Sequence, residues 1–457
     1  MTLWKIISIP LALAIVVAVF SRRRRSLHHN LPPGPPGHDQ SQVLGCRWNT
    51  FKAWNDLYGP VVSFFIGQQL LGTMEATIDL LEKRSEIYSD RPHHIMGPQA
   101  SPQVKPMQIH ESALLLNDLL TNTDSAINHS ILRRYTASLM FYLAYGRRVK
   151  SLNDPLCMAH DVVEECDEPL RPLQWFRREP ERQRDVNTNL YMTALNDVKK
   201  RMQDGAVPPC TTTYGIAKQK ELGFSDIQLA YALSTPWAAG IGTTTAAFEI
   251  AILAMLHFPE CVREVQGEID AVVGRDRLPT FEDQQSLPYT DGFIKETLRW
   301  RSVLPTGIAH SAAEDNTYHG MFIPKGIPVY TNAAAITHDP TVFPDPHTFK
   351  PERFIETTDP RLINHKFGCF GFGRRVCPGI HVALQSLYIV ISRMLWAFDV
   401  LPVVENGVEY IPGADDFTLG LVSRPANLKY RLVPRFENVK ELVTMEAERA
   451  TAEVGAL

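Results

Sequence analysis

Phe370-Gly371-Phe372-Gly373-Arg374-Arg375-Val376-Cys377-Pro378-Gly379 decides how the rest of this chain is read. Its glycines permit a tight backbone path that other residue types follow only under strain. Ile380 to Phe398 follows at once, apolar and helically spaced, so Cys377 stands just before a long helix. A thiolate there is favoured by the helix dipole and by N–H groups pointing at the sulfur. Arg375 suits a charge-assisted bond to an acidic group of a cofactor, and Gly379 leaves room for a flat one. The plainer alternative is a buried cysteine in a glycine-rich loop.

The string resembles F-x-x-G-x-R-x-C-x-G, the haem-binding signature of the cytochrome P-450 family, at every fixed position from Phe370 through Gly373, Arg375 and Cys377 to Gly379. Further motifs of that family occur in order. Glu296-Thr297-Leu298-Arg299 is similar to its E-x-x-R motif, whose charges share one helix face. Pro351-Glu352-Arg353-Phe354 resembles its P-E-R-F segment, and Arg353 would complete a structural Glu–Arg–Arg cluster with Glu296 and Arg299. Trp237 to Thr244 (WAAGIGTT) resembles the distal-helix motif A-G-x-(D/E)-T-T, with Thr243 at the proton-relay threonine. Gly242 stands where the acid belongs, so either water and Glu249 supply protons or oxygen activation is poorly coupled.

The resemblance implies a mainly α fold with a small β subdomain (an α+β chain), with haem b between a distal and a proximal helix. Cys377 would ligate the iron, its thiolate favouring O–O cleavage. His310 would contact a haem propionate. Leu304 and Thr306 would line the substrate pocket on one side, Phe417 and Leu419 on the other; ordinary strand packing is their alternative. The reaction implied is insertion of one oxygen atom from dioxygen into a small lipophilic substrate. Electrons would come from NADPH through a cytochrome P-450 reductase. Thr280 to Phe354 resembles fungal members acting on secondary metabolites.

The chain also departs from the pattern. In the family a stretch like Asp90-Arg91-Pro92 precedes a helix with W-R-x-x-R. Here Ser101-Pro102, similar to the family's sequence just beyond that helix, comes after only eight intervening residues. The helix reads as absent, and His129 to Arg134 (HSILRR) copies only its spacing. Two rivals stay open: a haem-thiolate isomerase or peroxygenase, and a catalytically impaired, truncated remnant.

The rest of the 457 residues agrees with one core-forming chain, 44% hydrophobic and 21% charged. A formal charge of −4 without a basic stripe gives no reason to expect a nucleic-acid partner. Seven scattered cysteines form neither a disulfide framework nor a zinc motif, which points to a reducing compartment. Leu3 to Phe20 is almost wholly apolar and Arg22 to Arg25 follow it. That order predicts a single membrane-spanning anchor with the bulk of the chain cytosolic. The expected placement is the endoplasmic reticulum membrane.

Boundaries are expected as an anchor at 1–21, a basic and Pro-rich linker at 22–37, one catalytic domain at 38–435 and a polar tail at 436–457. Helices are expected at 225–255, 259–273, 289–301 and 380–398, and around 111–120 and 131–144. Trp48 to Ser89 reads as a helix followed by short strands, and Asp154 to Pro209 carries no clear periodicity.

Overall fold

The structure is a computed structural model that describes residues 31–35, 48–64, 68–88, 101–122, 128–151, 154, 178–205, 207–363, 368–418 and 420–454. The expected anchor, most of the linker, the stretch from Asp90 to Pro92 and Leu419 lie outside the described residues. The sequence reads as one domain from 38 to 435. By its contacts the chain divides into two compact units, Met1–Arg91 with Ile308–Ala335, and Pro92–Gly307 with Ile336–Leu457.

The first unit holds the larger sheet. Helix α1 (Trp48–Tyr58) buries Phe51 and Trp54 against Val62, the two rings meeting edge to face at 5.5 Å. Strands β1 (Val61–Phe64) and β2 (Gln68–Leu71) follow as an antiparallel pair. The later segment adds β3 (His310–Ser311), β4 (Asn316–Tyr318), β5 (Met321–Ile323) and β6 (Pro328–Thr331). The sheet order is β1-β2-β6-β3, with β2 and β6 parallel, while β4 and β5 form a separate antiparallel pair.

Residues 74–88 correct the expectation of strands. They form a helical turn (Met74–Thr77), a π-helical stretch (Ile78–Lys83) and another turn (Ser85–Tyr88). The Thr73 hydroxyl accepts the Ala76 N–H at 3.2 Å and starts the helix. Met74, Ala76, Thr77, Leu80 and Leu81 are the residues it buries.

The second unit is mainly helical. It contains α2 (Ser101–Thr121), α3 (Asn128–Tyr145), α4 (Arg178–Gln203), α5 (Thr211–Leu222), α6 (Asp226–His257), α7 (Pro259–Val272), α8 (Pro288–Trp300) and α9 (Ile380–Ala397). Strands β7 (Phe398–Leu401) and β10 (Arg431–Pro434) pair, as do β8 (Val403–Glu405) and β9 (Val408–Tyr410).

Helix α6 is the hub. Ser225 and Gln228 close a capping box at its start, and the helix packs on α3, α4, α8 and α9. Trp237 stacks on Phe141 at 5.0 Å while its indole N–H donates to the Tyr145 hydroxyl at 2.8 Å. Burying each such side chain stabilises the fold by about 1.5–3 kcal/mol. Helices α6 and α9 are both apolar and long enough to cross a membrane, yet 78% and 72% of their most apolar windows are buried, as in core helices.

The C-terminal segment, read from sequence as a polar tail, is instead helix α10 (Val439–Val454) packed on α2. Val439, Val443, Ala447 and Ala450 recur on one face and are buried. His110 on α2 meets Glu453 at 2.7 Å. Two of the four core positions are alanines, so the apolar stripe is thin and the composition looks polar.

Candidate functional site

Gly368, Gly371 and Gly373 adopt φ of +105°, +75° and +60°, the left-handed region where a side chain is strained. The chain doubles back there, and the Cys377 N–H donates to the Phe370 carbonyl at 2.7 Å. Gly379 caps α9 directly after the Cys377-Pro378 pair. A Cβ added at Gly379 would lie 3.8 Å from the Cys377 sulfur. Burial pushes the Cys377 thiol up and the Gly379 N–H draws it back down. Cys369 shares the loop and is half-buried like Cys377, and burial pushes its thiol up as well. Phe370 and Arg375 are half-buried and Arg374 is exposed.

On α6 every residue from Thr244 to Leu256 is buried. One stripe before it stays open: Ala239 is exposed, and Thr235, Ala238, Gly242 and Thr243 are half-buried. The Thr243 hydroxyl donates to the Ala239 carbonyl at 2.6 Å, so its proton is held on the helix backbone. Gly240 lies tight against α3, where an added Cβ would come within 2.4 Å of Met140 Sδ.

Glu249 is not placed to help Thr243. Six residues carry it roughly 240° around the helix, onto another face. There it is buried, with Oε1 2.7 Å from His129 Nδ1 and 3.7 Å from Arg424. Arg134, from the segment that copies the W-R-x-x-R spacing, is buried against Glu111 at 2.8 Å and Asp118 at 3.1 Å.

The pocket residues expected from separate segments are drawn together by backbone bonds. Leu304, Thr306 and Phe417 are all half-buried. Gly307 N–H donates to the Leu304 carbonyl at 3.0 Å, making a tight turn. Phe417 bridges Pro425 across the second turn, and Ser423 N–H ties that turn to the Val303 carbonyl at 2.8 Å. His310 belongs to the sheet unit, where its Nδ1–H donates to the Tyr88 carbonyl at 2.9 Å.

The structural cluster forms as its motifs imply. Arg299 donates to both oxygens of Glu296, at 2.8 and 2.7 Å, and both side chains are fully buried. Arg299 also donates to the Thr337 and Pro346 carbonyls at 3.0 and 2.7 Å. Arg353 approaches Glu296 at 3.5 Å and donates to the Pro344 and Asp345 carbonyls. Burial pushes the Glu296 carboxyl up against the pull of Arg299. Breaking such a pair costs about 3–5 kcal/mol.

These residues fit a haem. Among the described residues no group of three His, Cys, Asp or Glu could hold a bare metal ion. The Cys377 sulfur at the motif position is a soft donor that suits an iron arriving with its own ring of nitrogens. The small residues Ala239 and Gly242 on the open stripe of α6 leave space for a flat group.

Comparison with known proteins agrees. The cytochrome P-450 family model matches residues 94–431. Cytochrome P-450 monooxygenase 253 of Postia placenta is 32% identical over 511 aligned positions, covering 96% of this chain and 95% of the relative. Cytochrome P-450 monooxygenase aneD of Aspergillus aculeatus is 32% identical over 476 positions, covering 92% and 91%. An alignment of 511 positions exceeds the 457 residues of this chain by 54, so at least that many are gaps within it. With its motifs, its helical core and these relatives, the chain belongs to the cytochrome P-450 family and is a haem-dependent monooxygenase.

Proposed function

We propose that the enzyme inserts one oxygen atom from dioxygen into a small lipophilic substrate, with electrons from NADPH delivered by a membrane-bound reductase. The observation that carries this reading is the Cys377 thiol at the start of α9, in a loop closed by the Cys377 N–H on the Phe370 carbonyl at 2.7 Å. Cys377 would hold the iron, and Arg375 and His310 are assigned to the propionates on the family resemblance. Phe370, Gly373 and Gly379 shape the loop beside the ring. The bound haem supplies the activation of dioxygen. Thr243 holds a proton at Oγ1 beside the open stripe of α6, and Leu304, Thr306, Phe417 and Leu419 orient the substrate. The anchor at 1–21 keeps the catalytic part on the cytosolic side of the endoplasmic reticulum membrane.

The test is the carbon monoxide difference spectrum of the dithionite-reduced protein. A strongly red-shifted Soret band supports Cys377 thiolate ligation; absence of haem, or an unshifted band, overturns it.

A second reading is an impaired remnant, favoured by the 54 or more alignment gaps. Purified protein that shows the red-shifted band but consumes NADPH only to make peroxide, with every lipophilic substrate offered, would support it. Product formation that depends on NADPH and reductase excludes both the remnant and an isomerase or peroxygenase.

A further inference from the structure

Glu249 is a buried carboxylate on the core helix that the proposed chemistry leaves unused. Its Oε1 faces His129 at 2.7 Å and Arg424 at 3.7 Å, and its Oε2 is buried without a hydrogen bond among the described residues. Arg424 belongs to the turn that carries Phe417. Within that turn Thr418 N–H donates to the Arg424 carbonyl at 2.8 Å, and Arg424 N–H donates to the Thr418 hydroxyl at 3.2 Å. Arg424 is therefore locked to the residue next to Phe417.

The base of the same segment is fastened separately. His257 at the end of α6 meets the Pro412 carbonyl at 2.8 Å through Nε2. Arg301 donates to the Ala414 carbonyl at 2.9 Å and to Asp415 at 2.8 Å. Ser423 N–H donates to the Val303 carbonyl at 2.8 Å. Among the described residues, Arg424 and Glu249 make the charged tie from this turn to the middle of α6.

We propose that Glu249 is a positioning residue: through Arg424 it sets where Phe417 stands over the substrate pocket. This rests on the pocket role assigned to Phe417 under the proposed function. Glu249 contacts neither substrate nor cofactor; it acts through the turn. His129, 36% exposed, holds the carboxylate from the other side and fixes the oxygen that Arg424 faces.

Two measurements test this on the full chain. Hydrogen exchange reads the amides of residues 416–426 directly and needs no haem. Affinity for imidazole and for 4-phenylimidazole, followed by the Soret shift of the holoenzyme, separates small from large ligands, and under the proposed pocket role of Phe417 the phenyl group is the part that meets the turn.

E249Q keeps the shape and the bond to His129 but loses the charge, while R424M, at a site 40% exposed, avoids disturbing the core. Both are expected to speed exchange in the turn and to weaken 4-phenylimidazole about threefold, with imidazole unchanged. R424K should behave as the parent protein. Unchanged exchange and unchanged 4-phenylimidazole affinity in both variants would overturn the proposal, as would equal weakening of the two azoles. If no variant shows the thiolate band, the haem reading has failed, and the exchange result alone decides whether the tie exists.

Discussion

Cys369 and Cys377 share one glycine-rich loop, and their places in the motif separate them. Burial pushes both thiols up, and Cys377 alone stands two residues after Arg375 at the start of α9. Cys377→Ala should abolish the red-shifted carbon monoxide band, and Cys369→Ser should keep it; the reverse would exchange their roles. Thr243→Ala should raise the peroxide formed per NADPH several-fold while leaving that band in place, which an oxidase assay with the reductase would read. The cysteine and the Glu–Arg–Arg cluster were legible because their motifs fix residue types at fixed spacings. Glu249 was not. Its distance along the helix made it a plausible proton source, but helix pitch turns it away, and its partners His129 and Arg424 come from segments 120 and 175 positions distant.

Elements with strong punctuation could be read almost to the residue. Ser225 with Gln228, Pro259 and Pro288 mark helix starts, and the structure places α6, α7 and α8 within one or two residues of those marks. Residues 74–88 escaped because three helical pieces of four to six residues leave too short an apolar period to recognise. Helix α10 escaped because Ala447 and Ala450 count as core only once α2 presents a face to them. Val443→Ala should cost about 2 kcal/mol in denaturant unfolding, whereas an undocked tail would show no change.

The connection between α7 and α8 gives a pH-dependent case. Arg277 and the Thr280 N–H and hydroxyl bind Asp283, and the bond from Arg277 above all holds its carboxyl below the usual range. A depressed carboxylate contributes stability above its unfolded value and loses it as pH falls through the folded one. Asp283→Asn should therefore be less stable than the parent at neutral pH, and the difference should shrink on acidification below the ordinary carboxylate range. A difference that stays constant with pH would refute this.

At the scale of the molecule, the balance of many helices and a few short strands was legible from element types alone. The division into two units was not, because Ile308–Ala335 joins a segment more than 200 residues earlier in the chain. Removing residues 1–25 should move the protein from the membrane pellet to the supernatant in a high-speed spin. Retention would reveal a second membrane contact.

The Glu296–Arg299 pair also bears on how the chain is made. Its partners beyond the pair include Thr337, Pro346 and Lys350, 38 to 54 residues downstream. Synthesis runs from the N-terminus at roughly 5–20 residues per second, so the two charges wait about 2 to 11 seconds for those carbonyls and N–H groups to emerge. Until then, burying α8 would strand part of the guanidinium without acceptors, which is costly. Helix α8 should thus stay in water until those partners emerge. A ribosome stalled before residue 350 should hold a chain whose Glu296–Arg299 pair is still open to solvent, which proteolysis of the stalled chain would read.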